Sequence, residues 1–143
     1  MSSHSIYHNF IIKAPQKGVF DAVSQPQHLD NWWPLKSSGE PKLGTTYNLN
    51  FTDAYDWYGE VVVCEPNNSF HIKMTKSDKD WDPTTFGFDL QEHDQGTYVR
   101  FSHVNWPEMN DHLKFSSFCW GMLLNGLKDY LEKGTIIPFE NRN

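Results

Sequence analysis

From residue 45 to residue 104 the chain passes through five successive strand-like segments, each closed by a turn, and in four of them apolar and polar residues alternate. The segments span roughly 45–52, 57–65, 69–75, 84–91 and 97–104. Tyr47, Leu49 and Phe51 share one face of the first, and Phe70, Ile72 and Met74 one face of the third. Phe86, Phe88 and Leu90 alternate in the fourth, and Val99, Phe101 and His103 in the fifth. A period of two belongs to a strand with one buried face. Connections such as Pro66-Asn67-Asn68 and Glu92 through Gly96 are too short for the crossover a parallel pair needs. Consecutive strands must therefore pair antiparallel, as a meander.

Two further patterns bracket this meander. Upstream, Ile6, His8, Phe10 and Ile12 alternate over residues 5–13, until Ala14-Pro15 stops the strand. Val19, Phe20 and Val23 then fall at helical spacing over 15–24, and PQHLDNWW between Pro26 and Pro34 predicts a second short helical turn. The segment KSSGEPKLG reads as a polar loop. Downstream, residues 110–133 predict one long helix ended by Gly134, with Phe115, Cys119, Met122, Leu123, Gly126, Leu127 and Tyr130 as its apolar stripe. The fold class that accommodates this order is α+β: a curved antiparallel sheet wrapped on a long carboxy-terminal helix, with two short helices after the first strand. With no linker or repeat, residues 1–143 are expected to form a single domain.

Charge and composition exclude several classes of partner. Twelve Lys and Arg stand against eighteen Asp and Glu, and nothing clusters the cations, so the sequence predicts no nucleic-acid partner. No apolar run reaches the ~18–20 residues of a membrane span. The start MSSHSIYHNF has neither the basic nor the apolar region of a secretory signal, and Cys64 and Cys119 suggest no disulfide framework, so a reducing, cytoplasmic setting is expected.

Several motifs occur in a fixed order. Ile12-x-Ala14-Pro15 precedes Val19-Phe20-Asp21-Ala22, then Pro26-x-His28-Leu29-x-x-Trp32-Trp33-Pro34. Gly59, Glu65-Pro66 and Gly96-Thr97 follow, and the last helix carries Trp120-x-x-Leu123-Leu124-x-x-Leu127-Lys128-x-Tyr130-Leu131-Glu132-x-Gly134. In these the chain resembles the START-like (SRPBCC) superfamily, the helix-grip fold, and within it the domain named after the activator of the heat-shock-protein-90 ATPase. The resemblance covers nearly the whole chain. It implies a helix-grip fold and, for partners, a chaperone or other protein. Helix-grip relatives also include cyclases and hydrolases, which leaves an enzymatic class open.

The residues themselves carry none of the common catalytic or metal-binding patterns. His-Glu-x-x-His, Cys-x-x-Cys and Gly-x-Ser-x-Gly are absent, and Asp78-x-Asp80-x-Asp82 has Pro83 where a calcium loop needs glycine. No cofactor, no metal and no catalytic residue is expected. His103 stands out because it falls on an otherwise apolar face, as a satisfied core histidine or as a polar anchor in a hollow. A curved sheet gripping a helix leaves such a hollow. The sequence therefore predicts a non-enzymatic binding domain for a small apolar or amphipathic, lipid-like molecule, in a monomer or weak dimer. Strand residues Phe51, Phe86, Phe88, Phe101 and His103 are expected to face Phe115, Cys119, Met122 and Leu123 across the cavity. One of Trp32 and Trp33 is expected at its entrance, on the argument that adjacent rings do not both point inward.

Overall fold

The computed structural model describes residues 3–142. Its elements in chain order are β1 (His4–Ile12), α1 (Gln16–Ser24), α2 (Pro26–Leu29), β2 (Lys36–Ser38) and β3 (Thr46–Thr52), then β4 (Tyr55–Glu65), β5 (Ser69–Lys76), β6 (Thr85–His93), β7 (Gly96–Trp106) and α3 (Asp111–Lys133). A 3-10 turn, Phe139–Asn141, follows. Among the described residues no helix is long and apolar enough to cross a membrane.

All seven strands form one antiparallel sheet in the order β1-β7-β6-β5-β4-β3-β2. The period-two faces become the core: Phe70, Ile72 and Met74 on β5, Phe86, Phe88 and Leu90 on β6, and Val99, Phe101 and His103 on β7 are all buried. The sequence reading missed β2, which lies where KSSGEPKLG reads as a loop. This three-residue edge strand has no apolar alternation and is held by main-chain pairing to β3, with Ser37 Oγ donating to Asp30 Oδ1 at 2.7 Å.

The first strand and the meander meet at Gly96. Its φ of +139° is one that L side chains rarely adopt, and a Cβ there would run into the Ile12 carbonyl oxygen. That close approach lets Thr97 Oγ1 donate to the Ala14 carbonyl at 2.8 Å and sets the register of β1 against β7, Ile12 opposite Thr97. The same end of β1 is tied to α3, where the Lys13 amide donates to Glu132 Oε2 at 2.8 Å.

Helix α3 begins where the Asn110 side chain accepts from the Leu113 amide at 3.0 Å, and ends at Gly134 with φ of +70°. Its buried face is Leu113, Ser116, Trp120, Leu123, Leu124 and Leu127. This differs from the predicted stripe. Phe118 and Met122 sit about 160° around the axis from Trp120, and Phe115 about 140°, at 3.6 residues per turn. They lie on the outer face, and Met122 does not face the sheet. Counting apolar residues alone drew the stripe too far round the helix, because Ser116, polar, is buried and three large apolar side chains are not.

Candidate functional site

Between the sheet and α3 lies a cavity of about 440 Å³. Trp33 reaches it from the segment after α2, Phe51 and Trp57 from the β3–β4 hairpin, and Trp81 from the loop joining β5 to β6. Trp120, Ser116, Cys119 and Leu123 contribute from α3, while Phe139 and Arg142 enter from the carboxy-terminal segment. Tyr55, Asp78, His112 and Phe115 stand around it.

Five of these rings close on one another. Trp33 meets Phe51 with centroids 5.7 Å apart, Phe51 meets Trp57 at 5.0 Å, and Trp57 meets Trp81 at 4.8 Å. Trp81 then stacks on Trp120 at 6.0 Å, and Trp120 returns to Trp33 at 4.9 Å. Each such contact contributes ~0.5–1.5 kcal/mol beyond its buried area. A cycle drawn from separate elements holds the wall in shape without any one strand dictating it.

The indole N–H groups are spent on the protein. Trp81 Nε1 donates to Ser116 Oγ at 3.3 Å, and Trp120 Nε1 donates to His103 Nδ1 at 3.1 Å. That second bond makes Nδ1 an acceptor and puts the imidazole proton on Nε2, which donates to Thr84 Oγ1 at 2.8 Å. Thr84 in turn donates to the Trp81 carbonyl at 2.5 Å. His103 thus sits behind the wall in a fully paired relay. Burial, with the His112 charge adding to it, pushes its pKa down to about 3, so it is neutral at physiological pH.

Polar groups that do reach the cavity come from loops and helix. His112 Nδ1 lies 3.2 Å from Asp80 Oδ2, which also accepts from Asn110 Nδ2 at 3.3 Å. The hydrogen bond from His112 is the main reason the Asp80 carboxyl titrates below the usual range. Asp82 instead accepts from Ser77, so the three acids of the Asp78-x-Asp80-x-Asp82 run have different surroundings. Burial raises the Cys119 thiol, which keeps it protonated at neutral pH. Ser116 Oγ accepts from Trp81 Nε1, and the His112 ring pairs with the Asp80 carboxylate.

Of the residues expected to line the cavity, Trp33, Phe51, Phe115, Cys119 and Leu123 are brought together there. Phe86, Phe88, Phe101 and His103 pack behind the wall in the core. Met122 stands on the far face of α3, 43% exposed. Trp32 is not at an entrance: it and Trp33 are both buried, with rings stacked 25° apart at 6.1 Å. The amides of both donate to the Leu29 carbonyl, so they share the turn that ends α2 and escape the alternation of a strand. Trp32 Nε1 donates to the Ala22 carbonyl while Trp33 turns to the cavity. Trp57, Trp81, Trp120, His112, Phe139 and Arg142 were not anticipated. Only Trp120, at three- and four-residue spacing from Ser116, Leu123 and Leu124 and seven residues from Leu113, carried a periodic signal.

A second feature lies outside the cavity. Phe115 at its rim, Phe118 and Met122 form an exposed apolar strip along α3, and Met109 just before the helix is exposed too.

A family model described as activator of Hsp90 ATPase homolog 1-like protein matches residues 13–132. No curated protein sequence is similar enough to count as a match. Among solved structures, the Aha1 dimer from Colwellia psychrerythraea superposes with a TM-score of 0.83 at 28% identity, over 92% of this chain and 98% of that one. Protein SSP2350 from Staphylococcus saprophyticus gives 0.79 at 20%, over 94% and 96%. CalU16 from Micromonospora echinospora gives 0.71 at 20%, over 92% and 77%. At such identities the last two speak for the fold alone.

Proposed function

The chain belongs to the family of activator of Hsp90 ATPase homolog 1-like proteins, and from that premise we propose that it is a binding domain for a small apolar or amphipathic molecule held between sheet and α3. The observation that carries this reading is the closed aromatic wall around a cavity whose size falls within the ~300–1,000 Å³ of ligand pockets. Apolar area on such a wall is removed from water when a ligand enters, at roughly 25 cal/mol per Å². N-phenyl-1-naphthylamine, a neutral dye that brightens in apolar surroundings, tests it. Wild type is expected to bind the dye, and Cys119→Trp, which fills the cavity from α3, to weaken binding ten-fold or more. Equal affinity in the two proteins refutes the reading.

A second reading rests on the exposed strip Phe115, Phe118 and Met122. An apolar strip of this kind supports association with another protein surface, and a relative at 28% identity is described as a dimer. Sedimentation of wild type and Phe118→Asp across concentration tests it. A concentration-dependent dimer that Phe118→Asp dissolves supports self-association, and a wild type that stays monomeric at every concentration refutes it.

A further inference from the structure

Arg142 is 8% exposed and borders the cavity, yet no carboxylate among the described residues lies within ion-pair reach of it. Asp30 and Glu140 act on the guanidinium from farther off, and desolvation is the larger influence, pulling its pKa down. A buried cation of this kind is costly unless something pairs with it.

Its hydrogen bonds are only partly used. Nε donates to the Ile137 carbonyl at 2.8 Å, and Nη1 donates to the carbonyls of Pro34 at 2.9 Å and Trp33 at 3.3 Å. Nη2, with two N–H groups, has no protein acceptor among the described residues. It is not sealed off either, since Trp106 Nε1 is the one fully buried side-chain polar atom among them left without a partner. Nη2 is therefore not fully enclosed, and Arg142 is one of the residues that line the cavity.

The cavity also has ends of opposite charge. Its lining residues on α3 run from His112 to Leu123, about 16 Å of helix at 1.5 Å per residue. Arg142 belongs to the Leu123 end, where Ile137 packs 3.7 Å from the Cβ position of Gly126. Asp80, on His112, marks the other end, and Asp78 lies in the same loop. Aromatic rings fill the distance between. A neutral guest leaves Nη2 unpaired, and a cationic head near Arg142 is repelled.

Resting on the cavity reading above, we propose that the occupant is an amphipathic carboxylate, its head on Nη2 of Arg142 and its apolar body along the rings toward Trp57 and Trp81. A hydrogen bond to a charged partner in such a setting corresponds to a preference of about ten-fold or more over a neutral head.

Displacement of N-phenyl-1-naphthylamine by octanoate, octan-1-ol and octyltrimethylammonium at pH 8 tests the proposal, because their alkyl tails match to within one methylene. Octanoate is expected to displace the dye at about a ten-fold lower concentration than octan-1-ol, with the ammonium weakest. Arg142→Gln is expected to bring octanoate and octan-1-ol within two-fold of each other, read as a ratio against whatever dye affinity the variant retains. If that variant loses the dye along with its tail contacts, the Arg142 Nε–H resonance of 15N-labelled wild type decides: octanoate shifts it and octan-1-ol does not if the head lies at Arg142, and equal shifts from the two overturn the assignment. Dye binding with octan-1-ol equal to octanoate, or with the ammonium strongest, overturns the carboxylate assignment and leaves the cavity reading standing. Failure of the dye itself to bind wild type overturns both.

Discussion

Replacing His103 with Phe tests the buried relay through its dependence on pH. In the folded protein the imidazole stays neutral down to about 3, against 6.5 for an unburied histidine. Below 6.5 the unfolded chain takes up a proton that the folded chain refuses, so acid favours unfolding and stability is lost as pH falls through this window. At pH 5, about 1.5 units below 6.5, the loss through this one group is ~2 kcal/mol, at ~1.4 kcal/mol per unit. At pH 8 the same imidazole stabilises the fold, because it accepts from Trp120 Nε1 and donates to Thr84 Oγ1. Phe cannot accept, and an orphaned buried indole N–H costs ~1–3 kcal/mol. His103→Phe is therefore expected to be about 2 kcal/mol less stable than wild type at pH 8, and about equal to it at pH 5. Urea unfolding at several pH values measures both. Carboxylates such as Asp80 titrate alike in the two proteins and cancel in the difference. A gap that stays constant from pH 8 to pH 5 refutes the neutral, buried imidazole.

Leu127, fully buried under α3, should cost ~2–5 kcal/mol as Leu127→Ala, read from the urea midpoint. Gly96→Ala should lower Tm by several degrees, since the Cβ meets the Ile12 main chain at a backbone angle unsuited to alanine. Phe118→Asp should leave monomer stability within ~0.5 kcal/mol of wild type, because the side chain stands 65% exposed. A large loss there would mean that the outer face of α3 is covered in the folded protein.

The architecture was legible because strands and helices write their buried faces into the sequence at periods of 2 and 3.6. Phe70, Ile72 and Met74 on β5, or Leu123 and Leu127 on α3, needed only counting. The cavity was half legible. Trp81, Phe139 and Arg142 come from a loop and a tail, where side-chain direction has no period and is set by tertiary contacts. Arg142 points inward because three main-chain carbonyls receive it. The stripe on α3 misled for a different reason. Periodicity says that a helix has an apolar face, yet Phe115, Phe118 and Met122 supply a second one, and only packing tells which of the two meets the sheet.

The sheet order has a consequence for how the chain reaches its fold. Every neighbouring pair from β2 to β7 joins strands consecutive in sequence, so five hairpins can zip locally, each closing a short loop. The pairing of β1 with β7 is different, because its partners lie about ninety residues apart in sequence. A growing chain makes β1 first and must carry Ile6 and Ile12 without their strand partner until β7 has been made. Closure of that single long loop, at the entropic cost of bringing distant segments together, is then the slow step of folding. A destabilising change on β1 should therefore slow folding while leaving the hairpins to form at their own rate.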